Sequence, residues 1–316
     1  MIITILSGGV GGARFARGVR EHLRRTHPAG DFELRIIVNT GDDMWLAGLR
    51  ITPDLDSVMY TLAGANDEVR GWGRIGESER VSEELKAYGV GWPWFTLGDL
   101  DLGTHIARTS MLRDGLTLSE ATARIQSRWD VGATLIPVTD SEVETHVVVE
   151  GGSMHFQEWW TRHRATLPAL DFEQRGVDTA VATNAAFDAI AETDVILVAP
   201  SNPVVSIGTI LGIPGIHVAL GAAAAPVVGI SPIINGAVVR GMADACLTAI
   251  GVETSAQAVA EHYGARGNGG LLDAWLVDSS DTAELAGIDV LRVPLWMRDL
   301  DSSAQLAADA LKAGGF

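Results

Sequence analysis

The sequence predicts an α/β protein: a Rossmann-like, mostly parallel sheet with helices on both faces and a smaller, mainly helical insertion or cap. Three observations predict it. Short β-branched apolar runs alternate with helical stretches at both ends of the chain. A glycine-rich turn joins the first such run to the first helix. Residues 66–170 break the rhythm and hold Trp72, Trp92, Trp94, Trp129, Trp159 and Trp160, six of the nine tryptophans.

Ile2 to Leu6 reads as a buried parallel strand, because a strand covered on both faces needs no polar alternation. After the turn, Phe15, Val19 and Leu23 recur four apart and form one apolar stripe of a helix. Phe32 to Val38 is a second strand of the same kind, joined to the first by an expected right-handed crossover. In the C-terminal half, residues 195–200, 227–231, 274–277 and 289–294 read as strands. Helices are expected around residues 241–250, 255–263, 282–286 and 302–313. Within the middle region, Thr117 and Glu120 have capping-box spacing. Residues 144–160 read as a hairpin turning at Gly151–Gly152. The expected division is therefore a core, residues 1–65 and 171–316, and an insertion or cap, residues 66–170, that closes over a site at the sheet's C-terminal edge.

Composition narrows the function. Forty acidic against 23 basic residues give a formal net charge of −17, which disfavours nucleic acid and anionic membranes as partners. An anionic small molecule remains compatible, since backbone amides or a bound cation can reverse the sign locally. The single cysteine, Cys246, excludes an intrachain disulfide and multi-cysteine metal clusters, and its helical setting reads as core packing. The N-terminus has no basic start and its apolar run ends at Gly8, unlike a secretory leader. No window of about twenty residues is continuously apolar. A soluble, cytoplasmic protein is expected. The oligomeric state is open, with a homodimer as the working expectation.

Four groups of residues carry candidate chemistry. Ser7 to Gly12, with Gly8, Gly9, Gly11 and Gly12, lies between strand and helix. There the backbone can approach phosphate and a helix N-terminus can face it; the plain alternative is a tight packing turn. It is not a P-loop, because no Gly-Lys-Ser/Thr follows. At the end of the second strand, beside Asn39, a candidate substrate contact, the adjacent acids Asp42 and Asp43 could hold a hard cation such as magnesium, hydrogen-bond a ribose or polyol, or form a solvated turn. Pro53 opens a helix whose first turn holds Asp54 and Asp56; one of the two can act as a cap. With Asp99 and Asp101 they make three acidic pairs, which suggest a divalent-cation site with a general base among them. Ser201 and Asn202 follow one strand and Ser231 the next, so the two loops can rim a ligand. His105 follows the last acidic pair and is a candidate substrate contact; His155 reads as packing among aromatics.

Taken together, SGGVGGARF, NTGDD, TPDLDS, LGDLDLGTHIAR, HFQEWW, APSNPVVSIG, ISPII and RGMAD resemble the 2-phospho-L-lactate transferase family nearly end to end, most closely its actinobacterial phosphoenolpyruvate transferases. The resemblance implies an enzyme that moves a phosphoenolpyruvyl or 2-phospho-L-lactyl group from a guanosine diphosphate-activated donor. The acceptor would be the deazaflavin 7,8-didemethyl-8-hydroxy-5-deazariboflavin (FO), with GMP released and dehydro coenzyme F420-0 or F420-0 formed. It implies that Gly8 to Gly12 cradle phosphate and that Ser201, Asn202 and Ser231 lie on the nucleotide side. Asp54 and Asp56 would lie on the deazaflavin and metal side, with Thr96 and Asp99 nearby. Magnesium is the implied cofactor, expected on Asp42, Asp43 and Asp56, and Asp56 is the favoured site acid. One departure is Leu100, where the family usually has arginine; Arg108 or Arg113 could supply the missing charge. The alternative is a non-catalytic regulator of the gluconeogenesis-factor type, which looks similar at the glycine loop and binds nucleotide-sugars. A nicotinamide-dependent dehydrogenase fits less well, because Asn39 stands where a lone acid should end the second strand.

Overall fold

In the computed structural model, which describes residues 1–316, β1 (Ile2–Ser7) runs directly into α1 (Gly9–Thr26) and then β2 (Glu33–Val38). A hairpin of β3 (Met44–Leu46) and β4 (Leu49–Ile51) leads to α2 (Pro53–Ala63). The middle region holds α3 (Arg80–Ala87), α4 (Asp99–Arg113), α5 (Leu118–Gln126) and β5 (Thr134–Pro137). It continues into a small antiparallel sheet of β6 (Glu144–Val149), β7 (Gly152–His155) and β8 (Asp171–Arg175). The second half runs through α6 (Asn184–Ala191), β9 (Val195–Val198), α7 (Gly208–Gly212), α8 (Ile216–Ala222) and β10 (Val227–Ile230). After the short hairpin of β11 (Ile233–Ile234) and β12 (Ala237–Val238) come α9 (Ala243–Ala249) and α10 (Ala256–Tyr263). The chain closes with β13 (Ala274–Asp278), β14 (Asp289–Val293) and α11 (Leu300–Ala313).

Seven strands form one sheet in the order β14-β13-β10-β9-β1-β2-β5, every pair parallel. Both faces are covered, as continuous apolar strands require. Ile3, Ile5, Ile36 and Leu276 pack with α1, α2 and α11 through Phe15, Val19, Val58 and Leu306. On the opposite face, Leu6, Ile37, Val198 and Trp275 pack with α6, α8 and α10 through Ile190, Leu220 and Val259. The strand order turns around between β1 and β9: β2 and β5 lie to one side of β1, and β9, β10, β13 and β14 to the other. Loops leaving that pair of strands diverge and open a crevice at the sheet's C-terminal edge, the usual ligand position in this architecture.

Three expectations change. The sheet does not follow the division at 66–170, because β5 lies inside that range and completes the sheet beside β2, while β8 lies outside it and belongs to the small sheet. The helix expected at residues 282–286 is absent: residues 282–285 are irregular and Ala286 lies in a turn. Five residues are little more than one turn, too few to nucleate a helix ahead of Gly287, which adopts a left-handed φ of +80°. The hairpin turns at Glu150–Gly151, since Val149 pairs with Gly152 and Gly151 takes φ +88°. The capping box is as read: Thr117 Oγ1 accepts from Glu120 N–H at 3.2 Å, and Glu120 Oε2 accepts from Thr117 N–H at 2.8 Å. Cys246 is buried, packed with Phe156, Trp159 and Met242.

Candidate functional site

A cavity of about 1010 Å³ opens at the strand-order reversal, large enough for a nucleotide-sized and a ring-sized ligand side by side. Its floor is Gly8, Gly9 and Gly11, the loops at Ser201–Asn202 and Ser231–Pro232, and the start of α2. Its far wall comes from the middle region: Trp72, Trp94, Phe95, Thr96, Asp101, His105, Gln157 and Trp160.

The glycine loop is shaped by three close approaches. A Cβ on Gly8 would lie 2.6 Å from Asp54 Oδ2 and 2.7 Å from Ser206 Cβ. A Cβ on Gly11 would lie 2.7 Å from the Pro200 carbonyl oxygen, and one on Gly12 would lie between the hydroxyls of Ser7 and Ser201. Gly9 differs: its φ is +63°, and a Cβ there would meet nothing within 4 Å. No side chain caps α1 and its first turn holds no acid, so its leading N–H groups are unclaimed, apart from that of Gly9, which donates to Asp54.

The loops after β9 and β10 use their polar groups on themselves. Ser201 Oγ donates to Gly8 O at 2.7 Å and accepts from Gly8 N–H at 3.1 Å, stitching the two strand ends together. Asn202 Oδ1 accepts from Val204 and Val205 N–H, and its amide nitrogen donates to Cys246 Sγ at 3.4 Å. Ser231 Oγ closes a turn with both main-chain groups of Ile233. All three line the cavity, but their side-chain contacts mainly position backbone.

The acids separate into two groups. Asn39, fully buried, donates from Nδ2 to Asp54 Oδ2 at 2.9 Å and reaches Asp42 Oδ1 at 3.5 Å. Burial, then repulsion from Asp54 and Asp43, holds the Asp42 carboxyl well above the ordinary carboxylate range. Burial likewise raises Asp54, against the Asn39 amide and the Gly9 N–H. Neither carboxylate is in an ion pair. Asp56 belongs to the second group. Arg108 Nη2 donates to its Oδ1, Thr52 Oγ1 donates to its Oδ2 at 3.2 Å, and His105 Nδ1 lies 3.5 Å away. Beyond His105, Nε2 lies 3.4 Å from Asp101 Oδ2, and Tyr60 OH donates to Asp101 Oδ1 at 2.8 Å. Against burial, the contacts with His105, Tyr60 and Arg108 hold the Asp101 carboxyl below its ordinary value.

The set Asp42, Asp43 and Asp56 therefore does not form one ligand shell. Asp43 points behind the cavity, where Arg50 Nη2 lies 3.5 Å from it and burial still pushes its carboxyl up to about 8. The atoms close enough to share one ion are those of Asp56, Asp101 and His105. A cation there would stand against the buried Arg108 guanidinium. Asp42 and Asp54 have no such competitor.

Asp99 does not reach the cavity, because it accepts from Ser78 N–H at 3.0 Å and Ser78 Oγ–H at 2.7 Å. Gly12 and Asn39 stand one layer behind the lining. His105 and Thr96 line it, and so do Asp54 and Asp56. His155 is packed against Trp92 and His146, and burial pushes its imidazole down to about 4. Leu100 is 41% exposed and absent from the lining. Arg108 does meet an acid, whereas Arg113 is exposed and donates to Gly48 O. Sequence reasoning missed Tyr60, Gln157 and the cavity-lining Arg14, Arg240 and Arg298, none of the three arginines in an ion pair. The available signals were Arg14, two residues past the last glycine, and the places of Gln157 in HFQEWW and Arg240 in RGMAD.

The comparisons with known proteins agree with this architecture. Residues 3–291 match the family model described as 2-phospho-L-lactate transferase CofD. A protein of Mycobacterium avium named phosphoenolpyruvate transferase is 51% identical over 334 residues, covering 100% of this chain and 99% of its own. The protein of that name from Thermobifida fusca is 53% identical over 318 residues, covering 98% and 97%. Among solved structures, a UPF0052-family protein of Bacillus halodurans aligns with a TM-score of 0.62 over 98% of both chains. Its 17% identity carries the fold alone.

Proposed function

Because the chain belongs to the 2-phospho-L-lactate transferase family, it is a transferase, and we propose that it joins a guanosine diphosphate-activated acid to the deazaflavin FO. The family decides against the non-catalytic regulator and places the enzyme in coenzyme F420 biosynthesis. The donor we propose is the enolpyruvyl compound, in line with the name carried by the actinobacterial relatives. The observation that carries the reading is the meeting of uncapped helix N–H groups and buried carboxyls in one cavity, beside an aromatic wall.

In this reading the donor's diphosphate lies against the first turn of α1, where free N–H groups and the helix dipole favour negative charge. Arg14, Arg240 and Arg298 offset the rest. Trp94, Phe95 and Trp160 flank the deazaflavin ring, and Thr96 faces it. The terminal ribityl oxygen attacks the phosphorus that bears the acid, the bond from that phosphorus to the GMP oxygen breaks, and the hydroxyl proton passes to Asp56. Positioning and charge neutralisation supply most of the acceleration in such transfers. Asp42 and Asp54 suit magnesium: buried carboxyls that repel each other and lack a cationic partner lose that repulsion when they share a cation. Magnesium bound there would neutralise diphosphate charge. The net charge of −17 leaves nucleic acid an unfavourable partner, and we place the reaction in the cytoplasm.

The test is coupling. GMP should appear only when donor and FO are both present, in a one-to-one ratio with FO consumed. GMP release at the same rate without FO would mean that the protein is a hydrolase and would overturn the proposal.

A further inference from the structure

We propose that His105 and Arg108 are positioning residues that clamp the Asp56 carboxylate, and that His105 does so as one tautomer, with its proton on Nε2. The kinetic part rests on the reading of Asp56 as proton acceptor; the tautomer does not.

The geometry begins with helix spacing. Asp101, His105 and Arg108 stand four and three apart on α4 and so share a face. Asp56 and Tyr60 stand four apart on α2. The two faces meet inside the protein: His105 is 1% exposed, Arg108 2% and Asp56 4%. Arg108 bridges them. Its Nη2 donates to Asp56 Oδ1 and its Nη1 lies 3.1 Å from His105 Nδ1. A guanidinium has only donors and does not lose its proton in a protein, so Nδ1 must be the acceptor. The ring proton is then on Nε2, which lies 3.4 Å from Asp101 Oδ2. Asp101 is fixed in turn by Tyr60 OH at 2.8 Å and, through its own N–H, by the buried Glu77 carboxylate at 3.1 Å.

Asp101, His105, Arg108 and Asp56 thus follow one another as acceptor, donor and acceptor in turn, the link from His105 Nε2 to Asp101 being a 3.4 Å approach rather than a formed hydrogen bond. Removing the imidazole leaves Arg108 Nη1 only its long 3.5 Å contact with the Arg50 carbonyl oxygen. The fork can then rotate, and Asp56 loses its aim at the cavity. Displacement of a reacting group by about 1 Å can cost on the order of 10²-fold in rate.

Two variants separate positioning from packing. His105→Phe keeps the ring volume and removes both polar atoms, while His105→Gln keeps one acceptor and one donor. We expect kcat to fall about 10- to 100-fold in His105→Phe, with KM for the donor unchanged, and to recover most of that loss in His105→Gln. Nitrogen-15 NMR of histidine-labelled parent protein should show His105 protonated at Nε2 and bare at Nδ1. A proton on Nδ1 overturns the clamp, and so does parental kcat in His105→Phe. Rate losses that merely follow melting temperature in both variants also overturn it. If the parent makes no conjugate at all, the transferase reading fails, and the NMR result alone then decides the clamp.

Discussion

Asp43 shows how burial and charge compete at a single residue. Its carboxyl has no exposed surface, neither oxygen has a hydrogen-bond partner, and its pKa is about 8 despite Arg50 nearby. Unfolded, the same group titrates near the ordinary carboxylate value of about 4. A raised folded pKa means that the folded state keeps a proton the unfolded state has lost. Stability from this group is fully present below about pH 4 and declines as pH rises toward about 8. Asp42 and Asp54 are shifted in the same direction. Melting temperature should therefore fall between about pH 5 and 8, and Asp43→Asn should flatten that slope; an unchanged slope in the variant would count against the assignment. Magnesium should raise the melting temperature more at pH 8 than at pH 5, because a carboxylate must be deprotonated to bind it. Asp42→Asn should abolish this gain and Asp56→Asn should keep it, and the opposite pattern would move the ion to Asp56. At this scale the sequence was legible in position and not in direction. Ser201 and Asn202, expected to rim a ligand, line the cavity, but Ser201 bonds to Gly8, 193 residues away, and nothing local signals that. Asp99 and Asp101 are two apart on one helix, so only the docking of α4 decides which of them faces the site.

At the scale of elements, the link between β1 and α1 shows how one motif combines packing and binding. The spacing strand, four glycines, helix was legible because each part has a local signature. Which glycines serve packing was not, since Pro200 and Ser201 come from the far half of the chain. Gly11→Ala places a Cβ 2.7 Å from a backbone oxygen, so it should lower stability and displace the loop. Gly9→Ala places its Cβ in open space at the cost of a left-handed φ, roughly 1–2 kcal/mol. Gly9→Ala should therefore weaken GDP binding while keeping most of the parent's stability. Calorimetry with GDP and thermal melts on both variants check this; parental GDP affinity in Gly9→Ala would leave the loop a packing turn. Segment 282–286 and the inclusion of β5 in the middle region were misread for a related reason. A five-residue helix and a four-residue edge strand carry too little periodicity to be recognised alone.

Across the whole molecule, the parallel sheet followed from the alternation of apolar runs and helices, and the crevice from the reversal of strand order between β1 and β9. No single helix is long and apolar enough to cross a membrane. The middle region stands out in composition, because tryptophans gathered away from any strand pattern point to a wall that meets flat ligands or packs on itself. Both occur: Trp92 and Trp94 stack at 4.7 Å, and Trp94 also lines the cavity. What joins these features is the claim that one cavity holds an activated acid and a deazaflavin at the same time. The most direct measurement is a mass spectrum of the product formed from FO with the enolpyruvyl and the lactyl GDP compounds in separate reactions. The account predicts a conjugate heavier than FO by the phospho-acid group, formed with higher kcat/KM from the enolpyruvyl compound. FO recovered unchanged from both reactions would contradict it.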